Sequence, residues 1–141
     1  MNLSGHVKIT SALTYASGTA SRNGDTLDMS GWDGVLGIVT MGTIAASAVG
    51  DVHWEQGATT TPATDLEGTA IVSAADDDDQ VWVLDLYRPT KRYVRLVVTK
   101  DASNAMAESA VYIQYSGHKL PVEDMGADEY ELHCSPDEGT K

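Results

Sequence analysis

The chain has 141 residues, with 21 Asp and Glu against 9 Lys and Arg, a formal net charge of −12 and a single cysteine. That length fits one domain, which at roughly 150 residues buries about two-thirds of its unfolded surface without a disulfide or metal. The acidic balance lacks the basic face that phosphate neutralisation needs, so no nucleic-acid partner is expected, and a lone Cys134 excludes an internal disulfide or a structural zinc framework.

The opening MNLSGHVKIT has neither the basic start nor the apolar core of a signal peptide. No apolar run reaches the roughly 20 residues of a membrane helix. The longest, residues 34–49, is broken by Gly37, Thr40, Gly42, Thr43 and Ser47. The expectation is a soluble protein made in the cytoplasm, with no membrane partner.

Apolar residues recur mainly at spacing two, the period of a strand. A first strand fits residues 6–10. Residues 26–30 alternate, with Leu27 and Met29 as the apolar face, and residues 35–41 are apolar and partly β-branched. Val52 and Trp54 then alternate with Asp51, His53 and Glu55. That trio has the residue types of a metal site or an acid–base pair, although the same spacing is common on solvent faces. A short strand fits residues 69–73.

Four aspartates, Asp76, Asp77, Asp78 and Asp79, precede one of the most apolar segments of the chain. Calcium takes about six to eight oxygens, and its common loop places acids at alternating positions with a Gly and a distal Glu. Neither follows Asp79 here, and adjacent carboxylates in an extended chain point to opposite sides. The run reads as a solvated turn that discourages edge pairing of the strand behind it, without a bound cation.

Residues 80–87 form the clearest strand. Trp82, Leu84 and Leu86 share one face, and Val81, Val83, Asp85 and Tyr87 the other. Such near-continuous apolarity predicts a central strand with one dry and one largely covered face. Arg88-Pro89-Thr90-Lys91 reads as a turn, because Pro89 presets the φ angle of its second position. Residues 92–100 follow, with Val94, Leu96 and Val98 opposed to Tyr93, Arg95, Val97 and Thr99, and the two segments are expected to pair as a hairpin. Residues 102–108 fit one helical turn. Residues 108–116 close the series, with Ala110 and Tyr112 opposed to Val111, Ile113 and Tyr115.

About eight short strands between Gly-, Asp-, Asn- and Thr-rich loops predict an all-β fold, an antiparallel β-sandwich or jelly roll over residues 1–116. Alternation stops at Gly117. Residues 117–141 fit a free polar tail or, given Leu120, Val122, Met125, Tyr130 and Leu132, an extended C-terminal arm that docks on a neighbour.

No G-x-S-x-G, phosphate-binding glycine loop, H-E-x-x-H or C-x-x-C occurs. No enzymatic activity, catalytic residue, metal or cofactor is therefore expected. Trp54 and Trp82 lie in alternating strands and are expected in the core. Trp32, in SGWDG, sits in a Gly-flanked turn and is the candidate glycan contact.

The segments NLSGHVKIT, LDMSGWDGVLGIVTMGTIAASAV, ADDDDQVWVLDLYRPTKRYVRLVV and HCSPDEGT span nearly the whole chain. Together they resemble a recurrent type of small tailed-bacteriophage virion protein, typically encoded near the major capsid protein. The resemblance implies a capsid decoration, or cement, protein on the outside of the mature icosahedral shell, stabilising the virion by bridging neighbouring capsomers. Its implied partners are the major capsid protein and neighbouring copies of itself, with a trimer on the shell as one arrangement. The candidate contacts are Leu3, Val7 and Ile9 in the N-terminal segment, and Leu120, Val122, Met125, Tyr130 and Leu132 in the arm. A head–tail neck or tail component is the first alternative. A carbohydrate-binding module is the second, because KRYVRLVV is similar to a strand of galactose-binding-like jelly rolls.

Overall fold

The computed structural model describes residues 2–74, 77–133 and 138–139. One antiparallel sheet contains β1 (Lys8–Gly18), β4 (Trp32–Ile44), β8 (Val81–Tyr87) and β10 (Met106–Gly117), in the order β1-β10-β4-β8. The second contains β2 (Arg22–Asn23), β3 (Leu27–Asp28), β5 (Gly50–Gly57), β6 (Thr64–Asp65), β7 (Ile71–Val72) and β9 (Tyr93–Lys100). There β9 lies between β5 and the short strands β2 and β3, while β6 and β7 line the far edge of β5.

Taken together, β2 and β3 occupy one strand position, and β6 and β7 another, which leaves eight positions. Successive positions alternate between the sheets except from β5 to β6. This is the strand order of a jelly roll, in agreement with the all-β sandwich read from the alternation. Among the described residues no helix is long and apolar enough to cross a membrane.

Two expectations about residues 80–100 are corrected. β8 is an edge strand, paired with β4, and not a central one. β8 and β9 also belong to different sheets, so they form no hairpin. Arg88 takes φ +53°, and its N–H donates to the Asp33 carbonyl on β4 before the chain crosses the end of the sandwich. Each strand buries one apolar face, and placing them in opposite sheets brings both faces onto one core. Period-two patterning is identical in the two topologies.

Residues 102–108 form no helical turn, for a local reason. The Asp101 carboxylate accepts the N–H groups of Val49, Ser103 and Asn104 at 2.7–2.8 Å, bending the loop and holding it to the start of β5. These three donors hold its pKa at about 2. β1, in turn, runs on to Gly18, well past residue 10, with register irregularities after Ser11 and Leu13.

The core forms where the inward faces meet. Val35, Val39, Val52, Val94, Leu96 and Val98 are fully buried there, and Trp54 and Trp82 join them as expected. Polar side chains on β10 cross this core. Gly24, Asp25 and Thr26 interrupt the β2/β3 position, so the Leu96 N–H on β9 lacks a ladder partner at that point. The Tyr112 hydroxyl fills the gap, accepting that N–H at 2.9 Å and donating to the Asp25 carbonyl at 3.0 Å. The Gly24 backbone passes close by, where a Cβ would lie 2.8 Å from the same hydroxyl. The ring stacks on Trp54, 5.7 Å between centroids, and burial pushes the phenol pKa up.

Nearer the start of β10, the buried Glu108 carboxylate meets Arg22 of β2 through Oε1 and Lys100 of β9 through Oε2, both at 2.8 Å. Contact with Lys100 is by charge rather than by an aligned hydrogen bond. The ammonium directs its own donors to the Gly18 and Met106 carbonyls. Gln114 donates to the Asp28 carbonyl of β3 at 2.9 Å.

Tyr112→Phe should destabilise the fold by about 1–3 kcal/mol in urea unfolding, because it strands the buried Leu96 N–H. Asp101 gives a pH signature. Its folded-state pKa of about 2 lies below the ordinary 3.8, so the stabilisation is complete above about pH 4 and is lost as pH falls toward 2. In acid titrations followed by circular dichroism, the stability gap between wild type and Asp101→Asn should close across that window.

Candidate functional site

The N-terminal segment and the C-terminal arm lie side by side. Asn2 caps a single 3-10 turn, Leu3–Gly5, by accepting the Ser4 N–H. The arm leaves β10, turns back and runs along this turn and the edge of β1. Val122 N–H donates to the Gly5 carbonyl at 3.0 Å, Ile9 N–H to the Met125 carbonyl at 2.7 Å, and the Tyr130 hydroxyl to Ser4 Oγ at 2.8 Å. Gly126 has φ +81°, and its backbone lies against the Ile9 carbonyl where no Cβ would fit. The arm's first residues are fixed at the other side: His118 N–H donates to the Gly31 carbonyl and its ring contacts Asp33 at 2.9 Å. That ring holds the Asp33 carboxyl below its usual range.

The contact residues predicted from the sequence divide accordingly. Leu3 is 58% exposed, and Leu120, Tyr130 and Leu132 are about half exposed. Val122 and Met125 are half-buried against the N-terminal segment, and Ile9 is half-buried on β1, opposite Ile113. Val7 is buried, only 4% exposed, so its side chain is already occupied within the chain. Leu3, His6, Val7, Tyr115, Ser116 and Leu120 wall an apolar groove of about 330 Å³. Candidates far apart in sequence, from Leu3 to Ile9 and from Leu120 to Tyr130, thus lie beside one another.

Trp32 is half-buried. Its ring packs over Gly117 and lines a cleft of about 460 Å³ with Asp33, Arg88, Thr90, Lys91 and Arg92. Arg92 is already committed, since it grips Asp28 through two nitrogens at 2.7 and 2.9 Å.

The trio on β5 acquires a fourth member. β6 brings Asp65 beside Glu55, and atoms of His53, Glu55 and Asp65 lie within 4.8 Å of one another. A divalent cation could be held by this donor set. Its atoms are engaged, however: the two ring nitrogens of His53 contact Asp51 at 2.5 Å and Asp65 at 3.4 Å, and Arg95 clamps Glu55 at 2.7 Å. An entering cation would have to displace these contacts. Asp65 was not legible as a member, because a two-residue strand carries no periodic signal.

Within the aspartate run, Asp76 lies outside the described residues. Asp77 accepts the Ala74 N–H at 2.7 Å and Asp78 accepts the Ile44 N–H at 2.6 Å. The turn therefore ties the end of β4 to the start of β8.

The sequence reading missed the outer face of the first sheet. Val81 is 62%, Val83 52% and Tyr87 55% exposed, beside half-buried Leu36, Ile38 and Ile113 and exposed Val111. The register aligns Val83, Ile38 and Val111 in one row, and Leu36, Ile113 and Ile9 in the next. Tyr115 crosses this face, its hydroxyl 2.6 Å from Asp85 and its ring stacked on Tyr87. Burial, with the Asp85 carboxylate, pushes its pKa up to about 12.

No family model matches the chain, and no curated protein matches it. Among solved structures, the chain is similar to one described as "Bacillus endospore appendages form a novel family of disulfide-linked pili". The two are 16% identical with a TM-score of 0.43, over 79% of this chain and 91% of that one. That neighbour is a pilus-type structural protein, and a likeness of this extent assigns no role to the present chain. The resemblance to bacteriophage virion proteins has no counterpart in it.

Removing residues 118–141 exposes the Ile9 N–H on the edge of β1. Its amide hydrogen exchange should accelerate, while the amides of β4, β9 and β10 keep their protection.

Proposed function

We propose that the chain is a structural virion protein of a tailed bacteriophage, a decoration protein that binds the outside of the mature shell and bridges capsomers. The observation that carries this reading is the placement of exposed Leu3, Leu120 and Tyr130 side by side on the jelly roll, where backbone hydrogen bonds at Val122 and Met125 hold the arm to the N-terminal segment. The sequence resemblance supplies the partner, the major capsid protein. An ordered arm loses less conformational entropy on docking than a free tail, and two linked segments bound to adjacent subunits gain avidity when both are engaged.

The mechanism on this reading is linkage, with no chemical step. A protein that binds only the expanded shell stabilises that state by RT ln(1 + [L]/Kd) per independent site. The acidic surface turns toward solvent and keeps crowded copies apart.

Quantitative mass spectrometry of purified virions tests this directly. The expected result is a copy number comparable to that of the major capsid protein, falling sharply for the chain lacking residues 118–141. A handful of copies would move the protein to the neck or tail. Absence from the virion would overturn the reading and direct attention to the Trp32 cleft.

A further inference from the structure

The sheet edges are not equally protected. The arm covers β1 at Ile9, and irregularities interrupt its register. β6 and β7 are two residues each. β8 is different: it pairs with β4 in unbroken register over all seven residues, and among the described residues nothing pairs with its other side. Proteins ordinarily blunt so long an apolar edge, because unpaired N–H and C=O groups recruit another strand.

The free groups can be assigned. Arg88 N–H and Gln80 C=O both bond to β4, at Asp33 and Met41. Antiparallel alternation then directs the even residues of β8 toward β4, and the backbone groups of Val81, Val83, Asp85 and Tyr87 away from it. The side chains of these four form the exposed side of the strand.

We infer that β8 is the two-fold interface of a homodimer, formed by antiparallel pairing of this edge with that of a second copy, centred on Leu84. In that register Val81 faces Tyr87 and Val83 faces Asp85, and about eight backbone hydrogen bonds form across the dyad. A shift by one residue would oppose free groups to engaged ones. A shift by two would either set Asp85 against Asp85, a like-charge pair, or shorten the overlap around Val83.

Charge selects a second copy as the occupant. Acids Asp77 and Asp78 lie just before β8, and the cations Arg88 and Lys91 just after it. Antiparallel two-fold pairing lays the acidic end of each copy beside the basic end of the other, so both ends are complementary at once. The net charge of −12 opposes approach of two copies. That long-range term is screened beyond roughly 8 Å at physiological ionic strength, whereas the contacts at the strand ends are short. Across the dyad the row of Val83, Ile38 and Val111 meets the other copy's row of Asp85, Leu36 and Ile113, and Val81 packs against Tyr87, so the outer faces of the two sheets become one surface. The inference stands whether or not the chain sits on a shell.

Sedimentation equilibrium of the intact chain at tens of micromolar should show a two-chain species. Val83→Pro removes an N–H that points away from β4, a substitution tolerated on edge strands. It should give single chains with an unchanged circular dichroism spectrum. Val83→Glu keeps the backbone but faces Asp85 of the other copy, and should raise the dissociation constant at least tenfold even where the proline variant fails to fold. Lys91→Glu should weaken association several-fold. A single wild-type chain at every concentration, or a dissociation constant that Val83→Glu leaves unchanged, overturns the proposal.

Discussion

Three inward polar side chains of β10 organise the sandwich. Glu108, Tyr112 and Gln114 each cross the core to the interrupted strand position of the opposite sheet, at Arg22, Asp25 and Asp28 respectively. A two-residue strand contributes little pairing of its own, so β2 and β3 depend on these contacts to stay against β9. The buried carboxylate of Glu108 must keep both Arg22 and Lys100, since removing one partner from a buried ion pair costs far more than the pair itself contributes. These constraints close the sandwich on the side where β10 neighbours β1. On the opposite side, beyond β4, the Trp54 indole N–H crosses from β5 to the Leu84 carbonyl at 3.3 Å, and there β8 stands as an open edge.

The same economy explains the arm. β1 is the other edge of that sheet, and it is covered at Ile9 by the chain itself through Met125 and Gly126. Covering this edge uses backbone groups, which leaves Leu3, Leu120, Tyr130 and Leu132 turned outward. Edge protection and an exposed apolar surface thus come from one stretch of chain. The proposed shell contacts lie at this end of the molecule, and the proposed dyad lies across the sheet from it, so neither surface requires the other to be vacated.

The acidic turn before β8 has a double character. Asp77 and Asp78 each place a carboxylate oxygen on a backbone N–H, which orders the turn and fixes where β8 begins. Their remaining charge faces outward at the end of an apolar strand. In an isolated chain this discourages indiscriminate pairing; beside a basic strand end it favours one register. A single short run therefore acts against nonspecific pairing and for a specific one.

Much was legible in the sequence. Period-two alternation gave the all-β class, the inward residues of β3, β5, β9 and β10, and the core positions of Trp54 and Trp82, because burial on one face of a strand is a local property of the pattern. The loss of alternation after Gly117 marked the end of the sheet in the same way. Which strands pair was not legible: residues 80–87 and 92–100 carry the same alternation whether joined in a hairpin or placed in opposite sheets, and only the crossing at Arg88 and Pro89 decides. The same holds for exposure. Val81 and Val83 look as apolar as core residues, and their place at a sheet edge follows from the order of the four strands, a long-range arrangement that no local spacing encodes. Asp65 beside His53, and the arm beside Leu3, likewise arise from pairings between segments distant in the chain. The sequence by itself determined the faces, and the tertiary structure decided the neighbours, because alternation fixes which way a side chain points while partner choice rests on the summed packing of the whole core.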